Sequence, residues 1–277
     1  MKYHYLRLFL LEIDQSGDLF DAPPARLDRS AYLRLAFSQR IDFEHRNNPL
    51  VFQPIGEQEV TGGAVSLGRI GRRKIETVNK PPEENFEEEE AISWRAANVL
   101  IDTRSDSEGQ KVAMQFHIDV GRPLPVFVSL VNFINEVNSK HGWQIEVNVM
   151  TSTTSFWEAV NKNKGSITYV EFDFVTPNVL QLRNQLNEGL KEARQKRNAQ
   201  KVRVGLQNKN GLLDLDGQEV IDAVEYVSEG GGSVKLKSGQ KKIYDSEEEE
   251  RAEEVEDDEP LIAGKRSTWQ RISDILF

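Results

Sequence analysis

The sequence predicts an α+β protein in which helices pack against a mixed sheet, followed by an acidic disordered linker and a short C-terminal helix. Patterns typical of strands and helices alternate between residues 96 and 238 in the order β-β-α-β-α-β-α-β-α-β, which favours helices packed on one or both faces of a sheet. Hydrophobic residues make up 38% of the 277 residues, which suffices for the core of one large domain or two small ones. Acidic residues are concentrated near the C-terminus, where like charges repel one another and favour disorder.

The first 80 residues are expected to form an N-terminal β-rich region. The block YHYLRLFLLEI is apolar over most of its length, as a strand buried on both faces is. It lacks a small-residue cleavage site, so we do not expect a signal peptide. SAYLRLAFSQR predicts a short helix, and residues 49–74 predict short strands with a loop at GRIGRRK. Two prolines followed by an acid run predict an acidic linker at residues 81–92.

Residues 93–243 are expected to form an α/β domain. Strands are predicted in WRAANVLIDT, KVAMQFHIDV, WQIEVNVM, SITYVEFDFV, KVRVGLQ and SVKLKS. In PLPVFVSLVNFINEV, the apolar residues Phe127, Leu130 and Ile134 recur at offsets of three and four, which predicts a helix with one buried face. Gly142 follows this segment, as is common after a helix end. Further helices are predicted in TSFWEAVNKNKG, NVLQLRNQLNEGLKEARQKRN and DGQEVIDAVEYVSEGGG.

The C-terminal residues combine an acidic run with an apolar, aromatic end. Asp245–Glu259 contains eleven acids and one base, which accounts for the whole net charge of −10. Residues 244–262 are therefore predicted to be a disordered tether. Residues 263–277 predict an amphipathic helix, because Ser267 and Gln270 have the spacing of a capping box. Its apolar side carries the candidate partner-docking residues Trp269, Ile272, Leu276 and Phe277, which would dock on the same chain, another subunit or a different protein.

No motif for catalysis is present in the sequence. The chain has no cysteine, which excludes disulfides and thiolate chemistry. The motifs GxSxG, GxxxxGK[ST] and GxGxxG are absent, and no two of the four histidines have metal-ligand spacing, so His117 is expected to be structural. Glu171 and Asp173 lie two apart on a predicted strand and share one face, as solvent-facing residues or, alternatively, as the ligands of a metal-dependent nuclease. We expect no catalytic residue, no metal and no cofactor.

Basic residues recur in a charged helix and the strand after it, in a second strand, and in the loop GRIGRRK. Together these segments could grip phosphates, which gives salt-dependent affinity with little sequence readout. The alternative is a set of solvated surface residues, since cations are favourable near a helix C-terminus in any case. The candidate nucleic-acid-binding residues are Arg194, Arg197, Lys201, Arg203, Lys235, Lys237, Arg72 and Arg73.

The apolar helix LPVFVSLVNFINEV, the strand ITYVEFDFV, the charged helix, and the blocks KVRVGLQNKNGLL and YVSEGGGSVKLKSG follow one another along the chain. In this order of elements, residues 97–242 resemble the RexA phage-exclusion family and related bacterial phage-defence proteins, over about half the chain. The resemblance implies a non-enzymatic, dimeric nucleic-acid binder that senses infection. By matching position, the binding candidates that it implies are the basic residues of the charged helix and of SVKLKSG. The acid runs and the aromatic C-terminus depart from the family and favour regulation or a partner protein.

Two functions are therefore expected from the sequence. The first is a phage-defence accessory or sensor, of the kind that acts in abortive infection, which binds nucleic-acid backbone and forms a homo-oligomer. The second is a protein–protein adaptor that docks an effector through its C-terminal helix. The chain has no apolar run of about 18 residues, so we expect no membrane span. The absence of cysteine favours a cytoplasmic location.

Overall fold

A computed structural model describes residues 1–13, 27–60, 63–104, 110–176, 185–197 and 199–255. Five α-helices lie in these ranges: α1 (Arg29–Ala36), α2 (Pro123–Val137), α3 (Thr153–Lys162), α4 (Gln185–Arg197) and α5 (Gln218–Ser228). The strands of the first half are β1 (Lys2–Glu12), β2 (Ile41–His45), β3 (Asn48–Val60), β4 (Gly63–Asn79), β5 (Glu88–Asp102) and β6 (Lys111–Gln115). Those of the second half are β7 (Trp143–Val149), β8 (Tyr169–Val175), β9 (Lys201–Gln207), β10 (Gly232–Ser238), β11 (Lys241–Asp245) and β12 (Ala252–Glu254).

The strands form two sheets, and all pairs between named strands are antiparallel. The first sheet has the order β12-β1-β6-β5-β4-β3-β2, with β7 also paired to β1, and the second has the order β11-β10-β8-β9. The predicted α+β class with helices packed on sheets is confirmed, and the predicted order of elements from 96 to 238 is the observed order. The single mixed sheet that the alternation suggested is instead two antiparallel sheets.

Strand β1 joins the two halves of the core. Leu8 and Leu10 pack with α1 and α2 against one face of the first sheet. Phe9 and Leu11, which point the other way, pack in the core of the second sheet. Both faces of β1 are therefore buried, and this explains why its sequence is a continuous apolar run rather than an alternating one. Helix α2 buries the predicted face of Phe127, Leu130, Val131 and Ile134.

The second sheet packs its inner face against three helices. Phe172 and Phe174 of β8 alternate with outward-facing residues, as the period of a strand requires. Their rings lie in the core with residues of α3, α4 and α5, among them Leu190 of α4. The fully buried Tyr226 of α5 donates a hydrogen bond of 2.6 Å from its hydroxyl to the carbonyl of Val175.

The predicted acidic linker at residues 81–92 is wrong. This segment is the turn of one long hairpin, in which Pro82–Glu84 form a 3₁₀ turn and β5 begins at Glu88. Pairing runs without a break from Val65↔Asp102 to Asn79↔Glu88. Glu88, Glu89 and Glu90 are exposed on this two-stranded ribbon, and successive side chains of a strand point to opposite faces, so neighbouring carboxylates are kept apart. The predicted boundary between residues 1–80 and 93–243 therefore falls inside one hairpin of the first sheet.

The predicted disordered tether is also wrong for residues 244–255. Tyr244 and Asp245 end β11, Ser246–Glu248 form a 3₁₀ turn, and β12 pairs with the start of β1. Glu250 lies within this segment and accepts a 2.6 Å hydrogen bond from His4 Nδ1. The remainder of the predicted tether, and the predicted C-terminal helix with Trp269, Ile272, Leu276 and Phe277, lie outside the described residues.

The turn between α5 and β10 contains Gly231, where a substitution tests the packing of Tyr226. A Cβ at Gly231 would lie 2.2 Å from the ring of Tyr226 and 2.6 Å from its carbonyl oxygen. We expect Gly231→Ala to lower the free energy of unfolding by about 2–3 kcal/mol, because overpacking displaces a buried ring. Urea unfolding measures the change. The control is Gly189→Ala in α4, where a Cβ meets nothing within 4 Å; it should be neutral or stabilising, and equal losses in both variants would contradict the described packing.

Candidate nucleic-acid interface

The outer face of the second sheet collects basic residues from two strands that are far apart in sequence. Its central strand, β8, carries Tyr169, Glu171 and Asp173 on this face, opposite the buried Phe172 and Phe174. The register on the other strands follows from the cross-strand pairs Lys235↔Glu171, Lys237↔Tyr169 and Arg203↔Asp173. Neighbouring strands are about 4.8 Å apart, so these side chains form one continuous surface.

Part of this surface is neutralised by the protein's own acids. Arg203 Nη2 lies 2.6 Å from Asp173 Oδ2, and Lys201 Nζ lies 3.2 Å from Glu146 Oε2 of β7. The hydrogen bond from Arg203 to Asp173 raises the pKa of Arg203. Both cations are more than half exposed. Exposed ion pairs of this kind contribute only about 0–1 kcal/mol, so a phosphate could replace the carboxylate at small cost.

The beginning of the acidic run occupies a second part of the same surface. Lys235 Nζ lies 3.1 Å from Glu247 Oε2 and 3.6 Å from Asp245 Oδ2. Lys242 Nζ lies 2.6 Å from Glu248 Oε1 and 3.2 Å from Asp245 Oδ2. Hydrogen bonds to Glu248 and Asp245 raise the pKa of Lys242. Burial lowers the pKa of Lys235, but its hydrogen bond to Glu247 and the nearby carboxylates outweigh burial and the pKa is raised. The acidic segment therefore neutralises two lysines of this surface.

One end of the second sheet carries lysines without such partners, and we name it the lysine end: Lys164, Lys209, Lys237 and Lys241. Thr168 connects its parts, because its backbone N–H donates to the carbonyl of Lys237 at 2.9 Å and its carbonyl accepts from Asn208 N–H at 2.9 Å. Lys164 lies in the turn that leads into β8, Lys209 in the turn after β9, and Lys241 at the start of β11. All four side chains are exposed, and in the described ranges none has a carboxylate within 4.0 Å.

Lys237 also contacts the only aromatic side chain on the outer face of β8. Its Nζ lies 5.4 Å from the centroid of the Tyr169 ring, within the range of a cation–π contact. Tyr169 donates a hydrogen bond of 2.6 Å from its hydroxyl to Glu171 Oε2, which orients the ring along the sheet. Lys237 is thus held on the surface by a ring rather than by a carboxylate, and its charge is not neutralised.

The helix that carries two of the predicted basic residues is not on this face. Arg194 and Arg197 lie on α4, whose Leu190 packs in the core on the inner side of the sheet. The sheet therefore stands between α4 and the lysines of β10. Lys201 and Arg203 belong to β9 rather than to the helix, and they do lie on the outer face. Of the predicted cations, Lys201, Arg203, Lys235 and Lys237 thus share the outer face. Helix α4, which carries Arg194 and Arg197, lies on the inner side of the sheet.

The predicted basic loop GRIGRRK is wrong, because these residues form the middle of β4 in the first sheet. Arg72 and Arg73 are adjacent in a strand and so point to opposite faces. Arg72 donates to the carbonyl of Asp119 at 3.1 Å and to Asn48 Oδ1 at 2.7 Å, so it has a structural role. Arg73 is exposed and lines a concavity of about 860 Å³ with Trp94 and Phe133. Neither residue belongs to the second sheet.

Sequence reasoning missed Lys164 and Lys209. Lys164 falls at the end of the predicted helix TSFWEAVNKNKG, and Lys209 falls in the polar segment after the predicted strand KVRVGLQ, so periodicity distinguishes neither residue. The signal is visible only once the topology places the start of β8 beside the end of β9.

The strand carboxylates considered for a metal site are engaged in contacts within the sheet. Glu171 accepts from Tyr169, and Asp173 pairs with Arg203. Among the described residues there is no group of three or more His, Asp or Glu side chains arranged to hold a metal ion. His117 Nδ1 accepts a hydrogen bond of 3.2 Å from the backbone N–H of Asp119, which is a structural contact within a turn.

Comparisons with known proteins do not identify the chain. No protein-family model and no curated protein matches it. Within the described ranges, no helix is long and apolar enough to cross a membrane.

Proposed function

We propose that this protein binds nucleic-acid backbone through the outer face and lysine end of the second sheet, without catalysis of its own. The observation that carries the proposal is that four exposed lysines, from the turn before β8, the turn after β9 and the β10–β11 hairpin, lie at one end of the sheet and have no carboxylate partner in the described ranges. Four uncompensated cations on one small surface repel one another, and a phosphate chain relieves that repulsion by neutralising them.

The form of the surface supports backbone contacts rather than base readout. A sheet face with a lysine-rich end presents flexible ammonium groups that act as point charges and follow a phosphate backbone in many orientations. Also on the outer face of the described strands, Lys201, Lys235 and Arg203 lie beside carboxylates that they can exchange for phosphates. Binding of this type tolerates sequence variation and weakens steeply with salt.

The biological role we propose is that of a cytoplasmic phage-defence accessory or sensor. The resemblance to the RexA family is the only support for this role, and it lies in the region that contains the second sheet. The acidic segment at Asp245–Glu248 suits a sensor, because its contacts with Lys235 and Lys242 lower the affinity for nucleic acid until a stronger ligand displaces it.

A salt series tests the proposal. The full-length protein is titrated onto labelled duplexes of about 20 base pairs and unrelated sequence, at salt concentrations from about 50 to 200 mM. Four phosphate contacts predict a slope of about −3.6 in a plot of log affinity against log salt, equal for all the duplexes. Absence of binding at the lowest salt, or affinity that depends on sequence and is insensitive to salt, would contradict the proposal.

A further inference from the structure

The hairpin of β4 and β5 extends beyond the first sheet as a two-stranded arm. Strand β3 pairs with β4 only as far as Arg72, and β6 pairs with β5 only over residues 99–101. Residues 73–79 and 88–94 pair with each other and with no other described strand. We name this part the arm. Isolated two-stranded ribbons are marginally stable in water, so the faces of the arm must be stabilised by other contacts.

One face of the arm has such contacts within the chain. Lys74 Nζ lies 3.0 Å from Glu76 Oε1 and 3.5 Å from Asp119 Oδ1. Arg95 pairs with Glu76 at 3.2 Å, and Ser93 Oγ donates to Glu76 at 2.8 Å. The hydrogen bonds from Ser93 and Lys74 lower the pKa of Glu76 to about 2. This face is a network of charges anchored on the turn that contains Asp119.

The opposite face of the arm is apolar and uncovered. Ile75 and Ile92 are a directly opposed cross-strand pair, and each is 59% exposed. Trp94, the next residue toward the base on the same face, is 53% exposed. These three large apolar side chains are neighbours on one face, and each is more than half exposed. A contiguous exposed apolar patch of this kind is typical of an interaction surface. Aromatic side chains such as that of Trp94 are enriched at protein interfaces.

Charge is graded along this apolar face. At the base of the arm, Arg69 and Arg73 are exposed on the same side as Trp94. At the tip, Glu88 and Glu90 are exposed on that side. The order along the arm is therefore positive, apolar, negative. Two such arms that lie face to face and antiparallel match positive to negative at both ends, whereas a parallel arrangement would bring like charges together.

We infer that the apolar face of the arm binds the same face of a second copy of this chain, with the two arms antiparallel about a two-fold axis at Ile75 and Ile92. Residues two apart along a strand are separated by about 6.8 Å. Arg73 and Thr77 are each two residues from Ile75, so the axis places Arg73 of one copy over Thr77 of the other copy. Glu90 is the cross-strand neighbour of Thr77, so Glu90 of that other copy is one strand spacing from Arg73. Long side chains span that distance, and each contact occurs twice in a two-fold interface. The area of the arm is small for a permanent interface, so we expect a dimer with a micromolar dissociation constant.

Sedimentation equilibrium of the full chain between about 1 and 100 µM tests the inference. The wild type should show a monomer–dimer equilibrium. Ile75→Asp should raise the dissociation constant at least a hundredfold, since the substitution occurs twice in the dimer. Ile55→Asp is the matched control, because Ile55 is also exposed, at 49%, but lies on β3 outside the arm; it should leave the dissociation constant unchanged.

A charge exchange identifies the antiparallel arrangement. Arg73→Glu and Glu90→Arg should each weaken the dimer about tenfold, and the double variant should restore it, because the two positions lie across the interface from one another. A wild-type chain that stays monomeric at 100 µM, a dimer unaffected by Ile75→Asp, or a double variant weaker than either single variant would overturn the inference. Duplex binding by the Ile75→Asp variant distinguishes a failure of this inference from a failure of the proposed function. The lysine end is on the second sheet and the arm is on the first, so the monomeric variant should still bind the duplex.

Discussion

The variant Lys237→Glu with Lys241→Glu is expected to bind duplex DNA about 10–100-fold more weakly than the wild type at about 50 mM salt. Each lysine removed from a phosphate contact lowers the slope of log affinity against log salt by about 0.9, so the slope should fall by about 1.8. The loss should be the same for duplexes of different sequence, because the contacts are to the backbone. Fluorescence anisotropy over the salt series measures both quantities.

Both substitutions are on the surface, so folding should be retained. Lys237 and Lys241 are exposed, and neither makes an ion pair in the described part of the chain. The charge-matched control is Arg34→Glu with Arg46→Glu, two exposed cations on the side of the first sheet. Equal losses in the two double variants would show that net charge, rather than the lysine end, determines binding.

Neutralising the acidic segment is expected to have the opposite effect. Glu247→Gln with Glu248→Gln removes the carboxylates that lie 3.1 Å from Lys235 and 2.6 Å from Lys242. Lys235 and Lys242 then share Asp245 as their one remaining carboxylate partner in the described residues, so part of their charge becomes available to phosphates. We expect affinity to rise about 3–10-fold at low salt and the salt slope to steepen by up to about 1.8. The gain should diminish toward 200 mM salt, where electrostatic contacts are screened.

Point changes are needed for this test because the acidic segment is part of the fold. Removing all residues after Tyr244 would also remove β12 and the hydrogen bond from the Tyr5 N–H to the Arg251 carbonyl. The control is Glu83→Gln with Glu84→Gln in the turn of the β4–β5 hairpin, which changes the net charge by the same amount. A rise in affinity of equal size in the control would assign the effect to net charge and contradict local competition.

The sequence predicts the succession of elements well and the pairing of strands poorly. Helix α2 and strand β8 each bury one face, and burial of one face gives a regular spacing of apolar residues. That spacing is visible in the local sequence, for example at Phe127, Leu130 and Phe172. Pairing of β1 with β7 and β12 joins residues more than 130 positions apart. Hydrophobic periodicity carries no information about which partner a strand chooses, so the division into two sheets could not be predicted.

Both acidic runs show why charge alone is a weak guide to disorder. The acids near Glu88 are ordered by cross-strand pairing with β4, which extends the ribbon into solvent where their charges are hydrated. Those at Asp245–Glu248 are ordered by lysines of β10 and β11. In each case a tertiary contact outweighs the repulsion within the run, and that contact is not visible in the run itself.

The part of the candidate site that lies on one strand could be predicted, because alternate residues of a strand share a face. Lys235 and Lys237 lie two apart and share a face, as predicted. The helix cations were misplaced, because a sequence does not show which side of a sheet a following helix covers. Lys164 and Lys209 required the topology, since their turns meet only when β8 and β9 pair.

The most direct test of the account is a lysine footprint by mass spectrometry. Acetylation rates are measured for each lysine of the full chain, with and without a saturating duplex at low salt. We predict slower acetylation at Lys164, Lys209, Lys237 and Lys241 on binding, and unchanged rates at Lys80 near the turn of the arm and at Lys196 on α4. Protection of Lys196 without protection of the lysine end, or no protection at any lysine under conditions where the duplex is bound, would contradict the assignment of binding to the second sheet.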